Sequence, residues 1–144
     1  MYDGTQTTPL GIAGRHKLLL TVFTEQNGIC FHCELPTFVD KYAPGARKQN
    51  QATVEHLVPL SHGGCSCAVN LVVACHRCNT VRGVIPIAIF QKLLKMVFKT
   101  PRFKAAWHSD SLEAKKTLKP VLKVFTKANN MRVPPTLTWP SSPR

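Results

Sequence analysis

Acidic residues are scarce in this chain. Asp and Glu together number 7 among 144 residues, against 19 Lys and Arg, giving a formal charge of +12. Long apolar runs are missing too. The run Leu18–Phe23 is short, and Thr21 interrupts it. No stretch approaches the ~20 apolar residues of a membrane span, and no signal peptide is visible. These absences leave no candidate membrane-spanning helix and set the expected compartment as a reducing cytoplasm. No internal repeat is present, and the length suits one compact domain with a modest core.

The positive charge is uneven. Residues 1–91 hold seven basic and five acidic side chains, a balance of +2, whereas residues 92–144 hold twelve and two, a balance of +10. Such asymmetry points to a polyanion partner, a nucleic acid or an acidic membrane surface. A merely solubilising basic surface is the plainer alternative.

Several segments have readable structure. "RHKLLLTVFTEQNG" predicts a helix ending at Gly28. Residues 36–51 read as a polar loop, and "ATVEHLV" and "NLVVAC" as two short strands that pair. "CHRCNTVRG" carries a helix stop at Gly83. "PIAIFQKLLKMVFK" predicts a helix opening at Pro86, with Ile87, Phe90, Leu94 and Val97 on one face and Lys92, Lys95 and Lys99 on another. "SLEAKKTLKPVLKVFTK" has helical character that Pro120 should kink or split. Residues 1–13 and 133–144 show little regularity. The sum is an α+β domain over 14–98 with a basic, mainly helical extension over 99–144.

Six cysteines in a reducing compartment argue for metal before disulfides. Cys30-x-x-Cys33 and Cys75-x-x-Cys78 are two knuckle pairs, and Zn²⁺ prefers four tetrahedral ligands of this kind. The 41 residues between the pairs leave room for a hairpin inside the zinc-closed loop. Four buried apolar cysteines are the bland alternative. Cys65 and Cys67 are surplus to such a site and read as free thiols in a loop, with a substitute ligand or a second labile site as the other options. His32 and His76, inside the knuckles, are expected to point outward.

Between the pairs lie Glu55-His56, the Pro59 turn with Gly63-Gly64, and Asn70, and after the last cysteine come Asn79 and Arg82-Gly83. This ordered set resembles the HNH endonuclease family, the ββα-metal nucleases with a treble-clef zinc knuckle, over about residues 14–98. Asn79 stands where that family often has histidine, so the chain is similar to its HNN variant. The resemblance implies phosphodiester hydrolysis in DNA, by nicking or double-strand cleavage, leaving 3′-hydroxyl and 5′-phosphate ends. It implies His56 as general base, Glu55 and Asn79 as ligands of one Mg²⁺ or Mn²⁺ (with Ni²⁺ an option), and Asn70 as the residue that pins the loop and orients His56. Small free-standing members resemble those carried by phages and mobile elements, which would place the protein in a host cytoplasm.

Neutral imidazole can take a proton from water near pH 7, and oxygen ligands suit a hard cation. Strict strand alternation, however, sends Glu55 and His56 to opposite faces. His62 is a further candidate for phosphate or metal, against an ordinary solvated loop residue. Arg77 and Arg82 are expected to grip phosphate. Lys92, Lys95 and Lys99 extend that field, with Arg102, Lys104, Lys115, Lys116, Lys119, Lys123 and Lys127 beyond them. Phe103 and Trp107 would stack on bases or pack the tail inward. Phosphate contacts carry no sequence information, so weak specificity is expected. DNA is the expected partner, RNA is not distinguished from it, and no membrane is expected. Two rival readings stand beside the nuclease: a non-catalytic zinc module that binds nucleic acid, and an accessory protein that docks on a larger phage or host machine.

Overall fold

The computed structural model describes residues 11–40 and 46–131. The expected irregular ends, 1–10 and 132–144, lie outside the described residues, as do positions 41–45 of the expected loop. Helix α1 spans Ile12–Glu25 and is followed by the first knuckle. The expected stop at Gly28 comes three residues beyond the helix end, because Asn27 and Gly28 both take left-handed φ values of 56° and 68° and turn the chain.

Strands β1 (Ala52–His56) and β2 (Leu71–Cys75) pair antiparallel, with Ala52 opposite Cys75 and His56 opposite Leu71. All five residues of β2 are buried, as its unbroken apolar run requires. Helix α2 (His76–Arg82) begins directly after Cys75, so the second knuckle is a strand-to-helix corner. Gly83 ends it with φ 53°. Strands and helix together give a small ββα-like unit.

Helix α3 (Ile87–Phe98) buries Phe90 and Leu94 and leaves Lys92, Lys95 and Lys99 exposed. A short α4 (Pro101–Ala106) leads to α5 (Leu112–Asn130). Ser111 caps α5 by accepting a hydrogen bond from the Ala114 amide. Pro120 does not split this helix, which runs unbroken across it. Ala114, Leu118, Val121 and Phe125 recur on one face of α5 and are all buried, so packing outweighs the local cost of the proline.

The expected boundary near residue 99 does not separate two cores. Trp107, Leu118, Val121 and Phe125 belong to the same buried cluster as Phe90, Leu94 and the four knuckle cysteines. A smaller cluster, Val22, Ala52 and Val73, packs against α1. Asn129 of α5 also bonds across the corner after α2, accepting from Val84 N at 2.9 Å and donating to Val81 O at 3.0 Å. A Cβ on Gly83 would meet its Oδ1 at 2.4 Å, so glycine permits both the turn and the close approach. No described helix is long and apolar enough to cross a membrane.

Candidate metal centre and active site

Cys30, Cys33, Cys75 and Cys78 are buried, and their sulfurs all lie within 4.8 Å of one another. That is the donor set of a closed structural zinc site. The thiols pull protons in opposite directions. Hydrogen bonds from Cys30, then Cys75 and Cys78, hold Cys33 far below the usual thiol range. Burial, then the neighbouring thiols, pushes Cys78 up. A divalent cation resolves this conflict by taking all four as thiolates.

The surroundings supply donors to sulfur. The Cys75 amide points at Cys30 Sγ and the Cys78 amide at Cys75 Sγ, each at 3.3 Å. The Trp107 indole N–H donates to Cys78 Sγ at 3.2 Å, and His108 Nε2 lies 3.6 Å from Cys33 Sγ. Trp107 thus packs inward. Sequence reading missed the sulfur contacts of Trp107 and His108, and no local pattern marks them, since they reach across 29 and 75 positions. Cys65 and Cys67 are bonded to each other, so neither is the free thiol expected, and neither belongs to the cluster.

The loop between the strands is closed by Asn70. Its Oδ1 accepts from Val58 N at 2.8 Å, and its Nδ2 donates to Val58 O at 3.0 Å and Cys65 O at 2.6 Å. Gly64 sits so close that a Cβ there would lie 1.9 Å from Val58 O. His56 therefore ends β1 beside a braced loop. It is half-buried, with Nε2 3.0 Å from Ser66 Oγ. Burial pushes its pKa below the usual value, and the charge of Glu55 partly opposes that shift. The ring is neutral near pH 7. His62 is exposed in a short 3-10 turn of the same loop.

Glu55 faces the other way. It is only 4% exposed, one carboxylate oxygen accepts from Arg82 Nη1 at 3.0 Å, and the other meets His32 Nε2. His32 thus turns inward, contrary to the outward direction expected, because a buried carboxylate needs partners. His76 stays partly exposed, with Nδ1 3.4 Å from Thr80 Oγ1. Asn79 Nδ2 donates to Thr53 Oγ1 at 2.9 Å and lies 3.4 Å from Val54 O. Among the described residues no hydrogen bond joins Glu55, His56 and Asn79 to one another.

Two expected phosphate contacts need correcting. Arg82 is 1% exposed. Besides Glu55 it donates to Ile85 O at 2.8 Å, to His56 O at 2.9 Å and to Leu57 O. It clamps the end of β1 to the end of α2. Arg77 is buried too, donating to Trp107 O at 3.0 Å. Neither guanidinium is open to a phosphate, since backbone carbonyls and a carboxylate have claimed them. Lys92, Lys95, Lys99, Lys115, Lys116, Lys119 and Lys123 are all exposed.

The chain matches no family model, no curated protein and no solved structure in the comparisons made. Its function is therefore inferred from the residues and their geometry.

Proposed function

We propose that this protein is a DNA endonuclease in which His56 is the general base. One observation supports the reading above the others: a neutral, half-exposed imidazole stands at the end of β1, braced by Arg82 through its own carbonyl and by Ser66 through its ring. Such a group can take a proton from water as the oxygen attacks phosphorus. The bond to the 3′ oxygen then breaks and that oxygen takes a proton from solvent, leaving 3′-hydroxyl and 5′-phosphate ends. The exposed lysines of α3 and α5 supply the field that holds a phosphate backbone.

The family resemblance also brings a divalent cation, Mg²⁺ or Mn²⁺, which would polarise the scissile phosphate. Glu55 does not fit that duty as it stands, because Arg82 and His32 occupy both its oxygens and burial shuts it off. Asn79 is the more open of the two expected ligands.

The closure of Glu55 favours a second reading, a zinc-containing module that binds nucleic acid without cutting it. One assay separates the two. Wild-type protein should nick supercoiled plasmid, and EDTA added without stripping the zinc should stop it. His56→Ala should lose about 10²–10⁴ in rate while still binding the plasmid. Binding without cleavage, by wild type in Mg²⁺ or Mn²⁺, would leave only the second reading. In a binding arm, neutralising Lys115, Lys116, Lys119 and Lys123 should flatten the salt dependence, by roughly 0.9 in slope for each phosphate no longer neutralised.

A further inference from the structure

An open-sided cavity of about 550 Å³ lies between the first knuckle and helices α3 and α4. Its volume falls in the range of small-ligand sites. Phe31, His32, Lys95, Phe98, Lys99 and Lys104 give it its chemistry. Three ammonium groups face one carboxylate in the lining, that of Glu34, so the cavity favours an anion. Phe31 is 37% exposed, a large apolar ring partly at the surface.

His32 adds a third kind of donor–acceptor group. Its side chain is buried, and Nε2 is committed to Glu55. Nδ1 is the only buried side-chain nitrogen or oxygen among the described residues that lacks a hydrogen-bond partner. With Nε2 on the carboxylate, Nδ1 is left to pair with a polar group of a ligand, such as a hydroxyl. Phe31 meets the His32 ring edge-on, with centroids 5.3 Å apart. Phe31 and His32 line the same cavity, so a flat ligand against Phe31 would lie beside the His32 ring.

The geometry points to a nucleotide as the occupant of this cavity. Its phosphate would meet Lys95, Lys99 and Lys104, its base would lie against Phe31 or Phe98, and a sugar hydroxyl or base amine would reach His32 Nδ1. Lysines alone would suit any anion; the aromatic rings and the unpartnered ring nitrogen narrow the class to a base, a sugar and a phosphate together. The site lies on the His32–Glu55 side of β1, whereas His56 points from the other side. It therefore does not depend on the nuclease reading. A free nucleotide and the phosphorylated end of a strand offer the same chemistry.

The test is titration of the full-length, zinc-loaded protein, followed by amide NMR and calorimetry. The probes are deoxyadenosine 5′-monophosphate, deoxyadenosine, inorganic phosphate, and a short single-stranded oligonucleotide with and without a 5′-phosphate. The monophosphate should shift the amides of Phe31, Gln91, Lys95 and Lys99 and saturate. Deoxyadenosine and Lys95→Gln/Lys99→Gln should each bind at least about tenfold more weakly, the usual cost of removing one charge-assisted hydrogen bond. Phe31→Ala should weaken the monophosphate but not inorganic phosphate. A 5′-phosphorylated oligonucleotide that binds tighter than the monophosphate identifies a strand end as the ligand; equal binding identifies the free nucleotide. His56→Ala should bind the monophosphate like wild type, and a failure to bind there would place the nucleotide at His56 and overturn the assignment. So would shifts confined to other residues, no saturation, or inorganic phosphate binding as tightly as the nucleotide.

Discussion

The four cysteines and the Glu55, His56, Asn79 group both lie around the same pair of strands, yet the fold treats them differently. Cys33 and Cys75 are separated by 42 positions, and their sulfurs come within 3.9 Å. Glu55 and His56 are neighbours in sequence, and their side chains leave β1 on opposite sides. Glu55 goes to Arg82 and His32 in the interior, and His56 to Ser66 at the loop. Nearness along a strand is a poor guide to nearness in space, because the pleat alternates. A two-residue spacer at a turn is a good guide, because both side chains must curl toward one point.

The largest expected effect lies in the first of these groups. Cys78 is wholly buried, and its sulfur accepts the Trp107 indole N–H. Cys78→Ser should cost the protein its metal. Structural zinc in small knuckles contributes about 10–16 kcal/mol apparent, which matches or exceeds the ~5–15 kcal/mol stability of a whole domain. The variant should show no cooperative thermal transition and no stoichiometric zinc by metal analysis. A folded, cooperative Cys78→Ser protein would mean that the cluster is ordinary core.

The second effect is smaller and breaks the comparison from the other side. Arg82 holds Glu55 and the carbonyls of His56 and Leu57, so it serves both faces of β1. Arg82→Met leaves a buried carboxylate without its strongest partner and should cost about 3–5 kcal/mol in chemical denaturation. Pairing Arg82→Met with Glu55→Gln should recover part of that loss, since the uncompensated charge is then gone. If the double variant is no more stable than Arg82→Met alone, the carbonyl contacts carry the clamp and the ion pair adds little.

Much of the architecture is legible in the sequence for the same reason that the four-cysteine cluster is. The strands, the stop at Gly83 and the apolar stripe of α3 follow from local periodicity and turn chemistry, and each appears near its expected place. The inward turn of His32 and the burial of Arg77 and Arg82 were not legible. All three are settled by partners distant in sequence: Glu55 for His32 and Arg82, and Trp107 for Arg77. A charged side chain one turn from a knuckle reads as a phosphate contact until the fold shows which carbonyls surround it. Pro120 failed as a breaker on similar grounds, because four buried side chains of α5 hold the helix on the core around it.

The loop between the strands offers a contrast of two adjacent glycines. A Cβ on Gly63 would meet nothing, although its φ of 85° strains any other residue. A Cβ on Gly64 would collide with Val58 O and approach Asn70 Nδ2 at 3.0 Å. Gly63→Ala should cost about 1–2 kcal/mol, the usual penalty for left-handed backbone. Gly64→Ala should cost more, and it should also loosen the Asn70 brace, seen as faster hydrogen exchange at Val58 N. Equal costs with unchanged exchange would show that the loop relaxes around the added methyl.

The smallest expected effect is the most telling about His56. Burial depresses its pKa below 6.5, and Glu55, though facing the other way, raises it somewhat through its charge. The two side chains thus share no contact but do share a field. If His56 is the base, cleavage should rise with pH and level off, with its midpoint below 6.5, because the neutral ring is the active form. Stability should follow the same sign. Between the folded pKa and 6.5 the unfolded chain binds more protons at this position, so stability rises with pH through that window and falls as pH drops below 6.5. His56→Ala should remove this share of the dependence. In Glu55→Gln, NMR titration of the His56 ring should move its midpoint to lower pH, since the charge that favours the imidazolium is gone. A midpoint that stays put would show that the buried Glu55 is fully compensated by Arg82 and His32, and that the two faces of β1 are electrostatically separate.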